Sequence, residues 1–166
     1  LINSGESIYI QGSTSIPEVL SQALADRGSE LRDVTIYAAF AVGRCEAPYC
    51  KPEYKDSFNV KSLFVANNIR KWLAAGYGST IPAFLGEIPG LFRDGTLPLD
   101  AVFLNVSPPN AEGYCSYGIS ADLAVSATEC ARKVIVQVNK SMPFSYGDAL
   151  IHVSRIDAAV EVDDPL

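Results

Sequence analysis

Apolar residues fall into short runs separated by Gly, Pro, Asn and Asp, and the period within each run predicts its element. Ile8-Tyr9-Ile10 predicts a short strand. Ser15-Ile16-Pro17-Glu18 has the form of a capping box, a Ser followed three residues later by Glu, and predicts a helix start. Val19, Leu20, Ala23 and Leu24 then recur at helical spacing, Arg27 sits in the last turn, and Gly28 can take the left-handed conformation that ends the helix. Val34-Thr35-Ile36-Tyr37 runs into Ala38-Ala39-Phe40 without polar alternation, the pattern of a strand buried on both faces of a parallel sheet.

Beyond a loop from about Val42 to Phe58, Leu63-Phe64-Val65 predicts another short strand, followed by a helix from Asn68 to about Ala75 that ends near Gly76. A second short helix is expected from Glu87 to Arg93, stopped by Asp94-Gly95. The clearest unit is a strand over Asp100 to Val106, a Pro/Gly loop from Ser107 to Gly118, a helix from Ser120 to about Arg132 and a strand over Val134 to Val138. That is a βαβ unit, whose crossover should be right-handed. Leu150 to Val153 and Ala159 to Val162 read as two further strands toward the edge. The fold class is α/β, a largely parallel open sheet flanked by helices.

The 166 residues, 48% hydrophobic and 19% charged, fit one domain over 1–166. A chain of this size buries roughly 70% of its unfolded surface, so disulfides are not required. Thirteen Lys and Arg against nineteen Asp and Glu give a net charge of −6, the wrong sign for nucleic acid as a principal partner. No apolar run approaches the roughly 18 residues of a membrane span, and no signal peptide opens the chain, so membrane and secreted classes recede and a cytoplasmic location is expected. Cys45, Cys50, Cys115 and Cys130 contain no C-x-x-C pair, and His152 is the single histidine, so no metal site is expected. The Asn105-Val106-Ser107 and Asn139-Lys140-Ser141 triplets fit the glycosylation pattern only by chance, because both lie at strand ends. Leu1 in place of an initiator Met, and an end just after the acidic Glu161 to Asp164, lead to the expectation that the chain is a piece of something longer.

In open α/β sheets ligands bind beyond the carboxyl ends of the strands, where loops meet helix N-termini. Two loops stand out there: Ser107 to Gly118, stiffened by Pro108 and Pro109 and opened by Gly113 and Gly118, and Asn139 to Asp148, with Met142-Pro143. Their neutral composition suits a small anionic or carbonyl ligand, although two long connections would explain them equally well. Neither G-x-G-x-x-G nor G-x-x-x-x-G-K-[ST] is present. A Ser/His/Asp triad would need His152 with Asp148, but without a G-x-S-x-G elbow His152 reads as a core or edge-strand residue. Glu112 reads as a solvated loop-tip carboxylate.

Several segments together resemble one family: Phe64-Val-Ala-Asn67-Asn68-Ile-Arg70, Ile81-Pro82-Ala-Phe84-Leu85-Gly-Glu87-Ile88-Pro89, Gly95-Thr-Leu97-Pro98-Leu-Asp100, Val106-Ser107-Pro108-Pro109, Gly113-Tyr114-Cys115-Ser116-Tyr-Gly118, Gln137-Val138-Asn139, Met142-Pro143 and Ile151-His152-Val153-Ser154. They span nearly the whole chain and resemble the N-terminal domain of the acetyl-CoA hydrolase/transferase family, especially its 4-hydroxybutyrate CoA-transferases. The resemblance implies two similar CoA-transferase-type domains with the active site between them. It also implies a Glu nucleophile in the second domain, which attacks an acyl-CoA thioester and passes through an anhydride to a glutamyl-CoA thioester. No Glu of this chain inherits that role, so the fragment alone should be inactive and its catalytic residues number none. The resemblance gives it a substrate-facing wall of Ser107, Pro108, Pro109, Gly113, Ser116, Gly118, Asn139, Met142 and Pro143, offering backbone N–H groups to a developing oxyanion. Coenzyme A enters as substrate, with no tightly bound cofactor. Acyl-CoA, short carboxylic acids and the chain's own C-terminal domain are the implied partners, and a homo-oligomer is expected. An acyl-CoA hydrolase and a stand-alone binding module are the rival readings.

Overall fold

The computed structural model describes residues 1–41 and 47–166. Cys45 and part of the expected loop after Val42 lie outside the described residues. Seven strands form one wholly parallel sheet: β1 (Ser7–Ile10), β2 (Val34–Ala38), β3 (Phe58–Ser62), β4 (Gly78–Thr80), β5 (Ala101–Val106), β7 (Lys133–Asn139) and β9 (Ala158–Val162), in the order β4-β3-β2-β1-β5-β7-β9. Two short strands, β6 (Tyr114–Ser116) and β8 (Leu150–His152), pair antiparallel outside it. The helices are α1 (Glu18–Asp26), α2 (Asn67–Ala74), α3 (Ile88–Arg93) and α4 (Ala124–Cys130). None among the described residues is long and apolar enough to cross a membrane.

The sheet separates two hydrophobic layers, and the period-2 alternation of β5 shows why its sequence is apolar at every position but Asn105. Val102, Leu104 and Val106 join Ile88, Phe92, Leu123, Ala124 and Ala127 on the face covered by α3 and α4. Ala101 and Phe103 join Leu24, Ala25, Ile69 and Trp72 on the face covered by α1 and α2. Each such large side chain contributes about 1.5–3 kcal/mol by leaving water.

The strands expected at 8–10, 34–40, 100–106, 134–138 and 159–162 are present within a residue or two. Other expectations need correction. α1 has Pro17, not Ser15, as its N-cap, and no side chain of its own cap accepts a hydrogen bond. The amide of Val19 instead donates to Gln137 Oε1 on β7 at 3.0 Å, so a tertiary contact replaces the local box. The strand expected at 63–65 is shifted to β3, where Phe58, Val60 and Ser62 are buried while Asn59 is exposed and Lys61 half-buried. The apolar Leu63-Phe64-Val65 run instead leads out of the sheet, with Phe64 exposed. α4 begins at Ala124 rather than Ser120: the Ser120 carbonyl accepts from Gln11, and a turn at Asp122 and Leu123 precedes the helix. β8 leaves the main sheet to pair with β6, so Leu150 to His152 are not a main-sheet edge strand.

Candidate functional site

The order of strand addition reverses between the parallel neighbours β1 and β5: from β1 the strands progress outward through β2, β3 and β4, and from β5 through β7 and β9. This is the topological switch point, the place where open parallel sheets leave a crevice at their carboxyl ends. Its floor is Gln11-Gly12, directly after β1, and Ser107, directly after β5. Gln11 is 1% exposed and bonds to both sides: its Oε1 accepts from Asn105 N–H at 2.7 Å, and its Nε2 donates to the carbonyls of Tyr117 at 3.2 Å and Ser120 at 2.8 Å. Gly12 is imposed by a close approach, since a Cβ there would lie 2.5 Å from the carbonyl oxygen of Phe40. Ser13 (φ 59°) then donates its amide to that same carbonyl, fastening the β1 loop to the end of β2.

The two loops singled out in the sequence meet at this edge. Ser107 Oγ accepts from Ser116 N–H at 2.8 Å, and Ser116 Oγ accepts from the amides of Gly118 at 3.0 Å and Ser145 at 2.9 Å. Ser145 Oγ returns a bond to the Gly118 carbonyl at 2.8 Å, which locks the β5 loop to the β7 loop. Asn110 Oδ1 accepts from the amides of Glu112 and Tyr114, closing the tip around Gly113 (φ 83°). Gly118 (φ 66°) lies under Met142: a Cβ there would be 1.9 Å from the thioether sulfur.

Among the expected site residues, Ser107, Ser116, Gly118, Asn139 and Met142 are buried, Gly113 is half-buried, and Pro108, Pro109 and Pro143 are exposed. Asn139 is fully buried and holds the C-terminal segment, accepting from the amides of Ser141 and Asp164 and donating to the Asp164 carbonyl. The amides of Ser116, Tyr117 and Gly118 are engaged by Ser107 Oγ, the Ala149 carbonyl and Ser116 Oγ, so these three donors serve the loop's own rigidity. Gln11, Gly12 and Phe40 belong to the same crevice and were not singled out in the sequence. Gly12 after a strand was the one local signal for them.

The titrating groups nearby are tuned mainly by burial. It pushes the Cys115 thiol and the Tyr117 phenol above their ordinary values, leaving both neutral at pH 7. Glu112 is exposed at the loop tip, and His152 Nδ1 lies 2.8 Å from Ser154 Oγ while its ring stacks edge-on against Tyr114. Asn105 Oδ1 is buried at the end of β5 with no partner among the described residues. The buried part of the arrangement offers backbone and amide dipoles, and its hydroxyl–imidazole contact, His152 with Ser154, is a local one between residues two apart at an exposed turn.

Comparison with known proteins identifies the family. The family model for the acetyl-CoA hydrolase/transferase N-terminal domain matches residues 1–165. The 4-hydroxybutyrate coenzyme A transferase of Clostridium kluyveri is 38% identical over 150 residues, which cover 90% of this chain and 34% of that protein. A succinyl-CoA:acetate/propanoyl-CoA:succinate CoA transferase of Fasciola hepatica is 33% identical, over 93% of this chain and 32% of its own length. Among solved structures, RipA from Yersinia pestis superposes with a TM-score of 0.89 at 28% identity, over 99% of this chain and 40% of that one. The 4-hydroxybutyrate CoA-transferase of Porphyromonas gingivalis gives a TM-score of 0.80 at 33% identity, over 98% and 36%. The chain thus spans about a third of the length of the curated relatives it matches. It belongs to the acetyl-CoA hydrolase/transferase family, as an N-terminal domain.

Proposed function

We propose that this N-terminal domain is one wall of an enzyme that moves CoA between an acyl-CoA and a short carboxylate such as 4-hydroxybutyrate or acetate. The observation that carries the reading is the likeness to the Clostridium kluyveri 4-hydroxybutyrate coenzyme A transferase at 38% identity across 90% of the chain. The reaction runs through a Glu carboxylate outside this chain, on a second domain of the same protein. That carboxylate attacks the thioester carbonyl, the C–S bond breaks and CoA thiolate leaves an acyl-glutamyl anhydride. The thiolate then attacks the glutamyl carbonyl, releasing the acid and leaving a glutamyl-CoA thioester, from which a second acid collects CoA by the reverse steps.

This domain's part is to bind and orient. The crevice between Gln11-Gly12 and the Ser107 to Gly118 loop receives the acyl thioester, with Met142 and Pro143 closing one side. Held near-attack geometry is worth roughly 7–11 kcal/mol of barrier lowering, and it requires both walls. The reading places the enzyme in the cytoplasm as a homo-oligomer, with coenzyme A as substrate and no tightly bound cofactor. An acyl-CoA hydrolase of the same family is the second reading, since its matching model covers hydrolases and transferases alike.

The test compares the 166-residue chain with the product of the complete reading frame. Both are incubated with acetyl-CoA and 4-hydroxybutyrate, acyl-CoA exchange is followed by mass spectrometry, and enzyme-bound thioester is trapped with borohydride. Exchange by the complete protein alone, dependent on the acceptor acid, supports the transferase. Acid-independent release of CoA gives the hydrolase. Turnover or a trapped Glu adduct in the isolated chain overturns the placement of the nucleophile.

A further inference from the structure

Two polar side chains on helices α1 and α2 carry buried atoms with no protein partner, and both residues line one cavity. Ser21 of α1 is 1% exposed, and its Oγ has no hydrogen-bond partner among the described residues. A serine inside a helix commonly returns its hydroxyl to the carbonyl four residues back. Here the Pro17 carbonyl accepts the Ser21 amide at 2.9 Å but not the hydroxyl. Asn68, in the first turn of α2, is half-buried, and its Oδ1 is likewise buried and unpartnered among the described residues. The cavity that both residues line measures about 10 Å³. Ile10, Ile16 and Ala38 supply apolar wall, and Gln11-Gly12, the floor of the crevice, forms another part of the lining.

Size and chemistry select the occupant. About 10–15 Å³ is the least room that holds one water, so a space of this size takes one water and nothing larger. Among the described residues that line it none is charged, which rules out an ion. Apolar walls alone would keep such a space dry, but a hydroxyl and an amide oxygen give a water the two polar partners it needs to be held. Asn68 Oδ1 can only accept, so the water donates one O–H to it; Ser21 Oγ both donates and accepts, so it completes the bridge from the other side.

We infer that this cavity is a binding site for one internal water, which bridges Ser21 Oγ on α1 and Asn68 Oδ1 on α2. The two helices follow β1 and β3, strands separated in the sheet by β2, so the water ties together segments that no strand pairing joins directly. Because Gln11 and Gly12 share the cavity's lining, the same water backs the crevice floor from within the domain. The inference is independent of the CoA-transfer reading, since it concerns what holds the floor rather than what reacts above it.

The experiment uses the product of the complete reading frame, in the wild type, Ser21→Ala, Asn68→Ala and the double variant. A crystal structure at a resolution that defines ordered waters should show one water within about 2.7–3.2 Å of both Ser21 Oγ and Asn68 Oδ1, and that water should be lost or displaced in Ser21→Ala. In thermal unfolding followed by circular dichroism, each single variant should lower the midpoint by about 2–4 °C. The double variant should fall no further than the worse single one, because either change alone already breaks the shared bridge. Should one alanine variant not fold, the wild-type water peak and the other variant decide. A site without a water peak, a water bonded to only one of the two atoms, or single-variant shifts that add in the double variant overturns the inference.

Discussion

Gln11 and Asn105 are joined across the reversal point of the sheet, Asn105 N–H donating to Gln11 Oε1 at 2.7 Å, although 94 residues separate them. Gln11 Nε2 donates to the Tyr117 and Ser120 carbonyls, so one buried side chain ties the end of β1 to the end of β5 and to the segment before α4. Unpaired buried groups of this kind cost about 1–3 kcal/mol each. Gln11→Leu should therefore lower unfolding free energy by about 3 kcal/mol in a urea titration, whereas Gln22→Leu, on an exposed residue, should change it by no more than about 0.5 kcal/mol. Equal small effects at both positions would remove Gln11 as the clasp of the crevice.

Gly118 and Met142 make the second test. A Cβ at 118 would sit 1.9 Å from the Met142 sulfur, and the backbone there has a φ of 66°. Overpacking and left-handed strain each cost about 1–3 kcal/mol, so Gly118→Ala should destabilise by about 3 kcal/mol. Met142→Ala opens space for the new methyl, so the double variant should lose clearly less than the sum of the two single changes. Strict additivity would show that the side chain of Met142 does not press on Gly118.

Glu112 tests the assignment of the nucleophile to another domain. It lies exposed at the tip of the β5 loop. In the complete protein, Glu112→Gln should keep turnover within about threefold of wild type. A loss near 10³-fold, of the order expected for a group acting covalently, would place the nucleophile here.

Acid stability should report the Glu6–Lys133 pair, whose Nζ–Oε1 distance is 2.6 Å. Burial alone raises the Glu6 pKa, but hydrogen bonds from Lys133 and Asn3 outweigh it and hold the carboxyl below its ordinary value of 4.5. A depressed folded-state pKa contributes stability that is present above the unfolded value and lost as pH falls through the folded one. The stability difference between wild type and Glu6→Gln should be about 1 kcal/mol and flat above roughly pH 5.5, then shrink toward zero below about pH 4. A difference that grows on acidification would contradict this sign.

Much of the sheet was legible in the sequence because a central parallel strand is buried on both faces. Ala101 to Val106 and Val134 to Val138 must be apolar at nearly every position, and a window of six residues records that. The family was legible for a related reason: Ser107 to Gly118 and Asn139 to Pro143, among other segments, carry unusual Pro, Gly and Ser placements over short stretches. β3 escaped because Asn59 and Lys61 alternate with its buried residues, while the neighbouring Leu63-Phe64-Val65 run, only partly buried, imitated a strand.

The sequence by itself determined the α/β class and the central strands, which follow from local period, and the family, which its short segments resemble one by one. Only the tertiary structure decided the strand order, and with it the position of the reversal between β1 and β5. That order made Gln11-Gly12 the floor of the crevice, brought Phe40 beside Phe64, and replaced the Ser15 capping box with Gln137 reaching Val19 from 118 residues away. Each of these joins positions dozens of residues apart, through hydrogen bonds and contacts that exist only once the sheet has closed, so no local pattern along the chain encodes them.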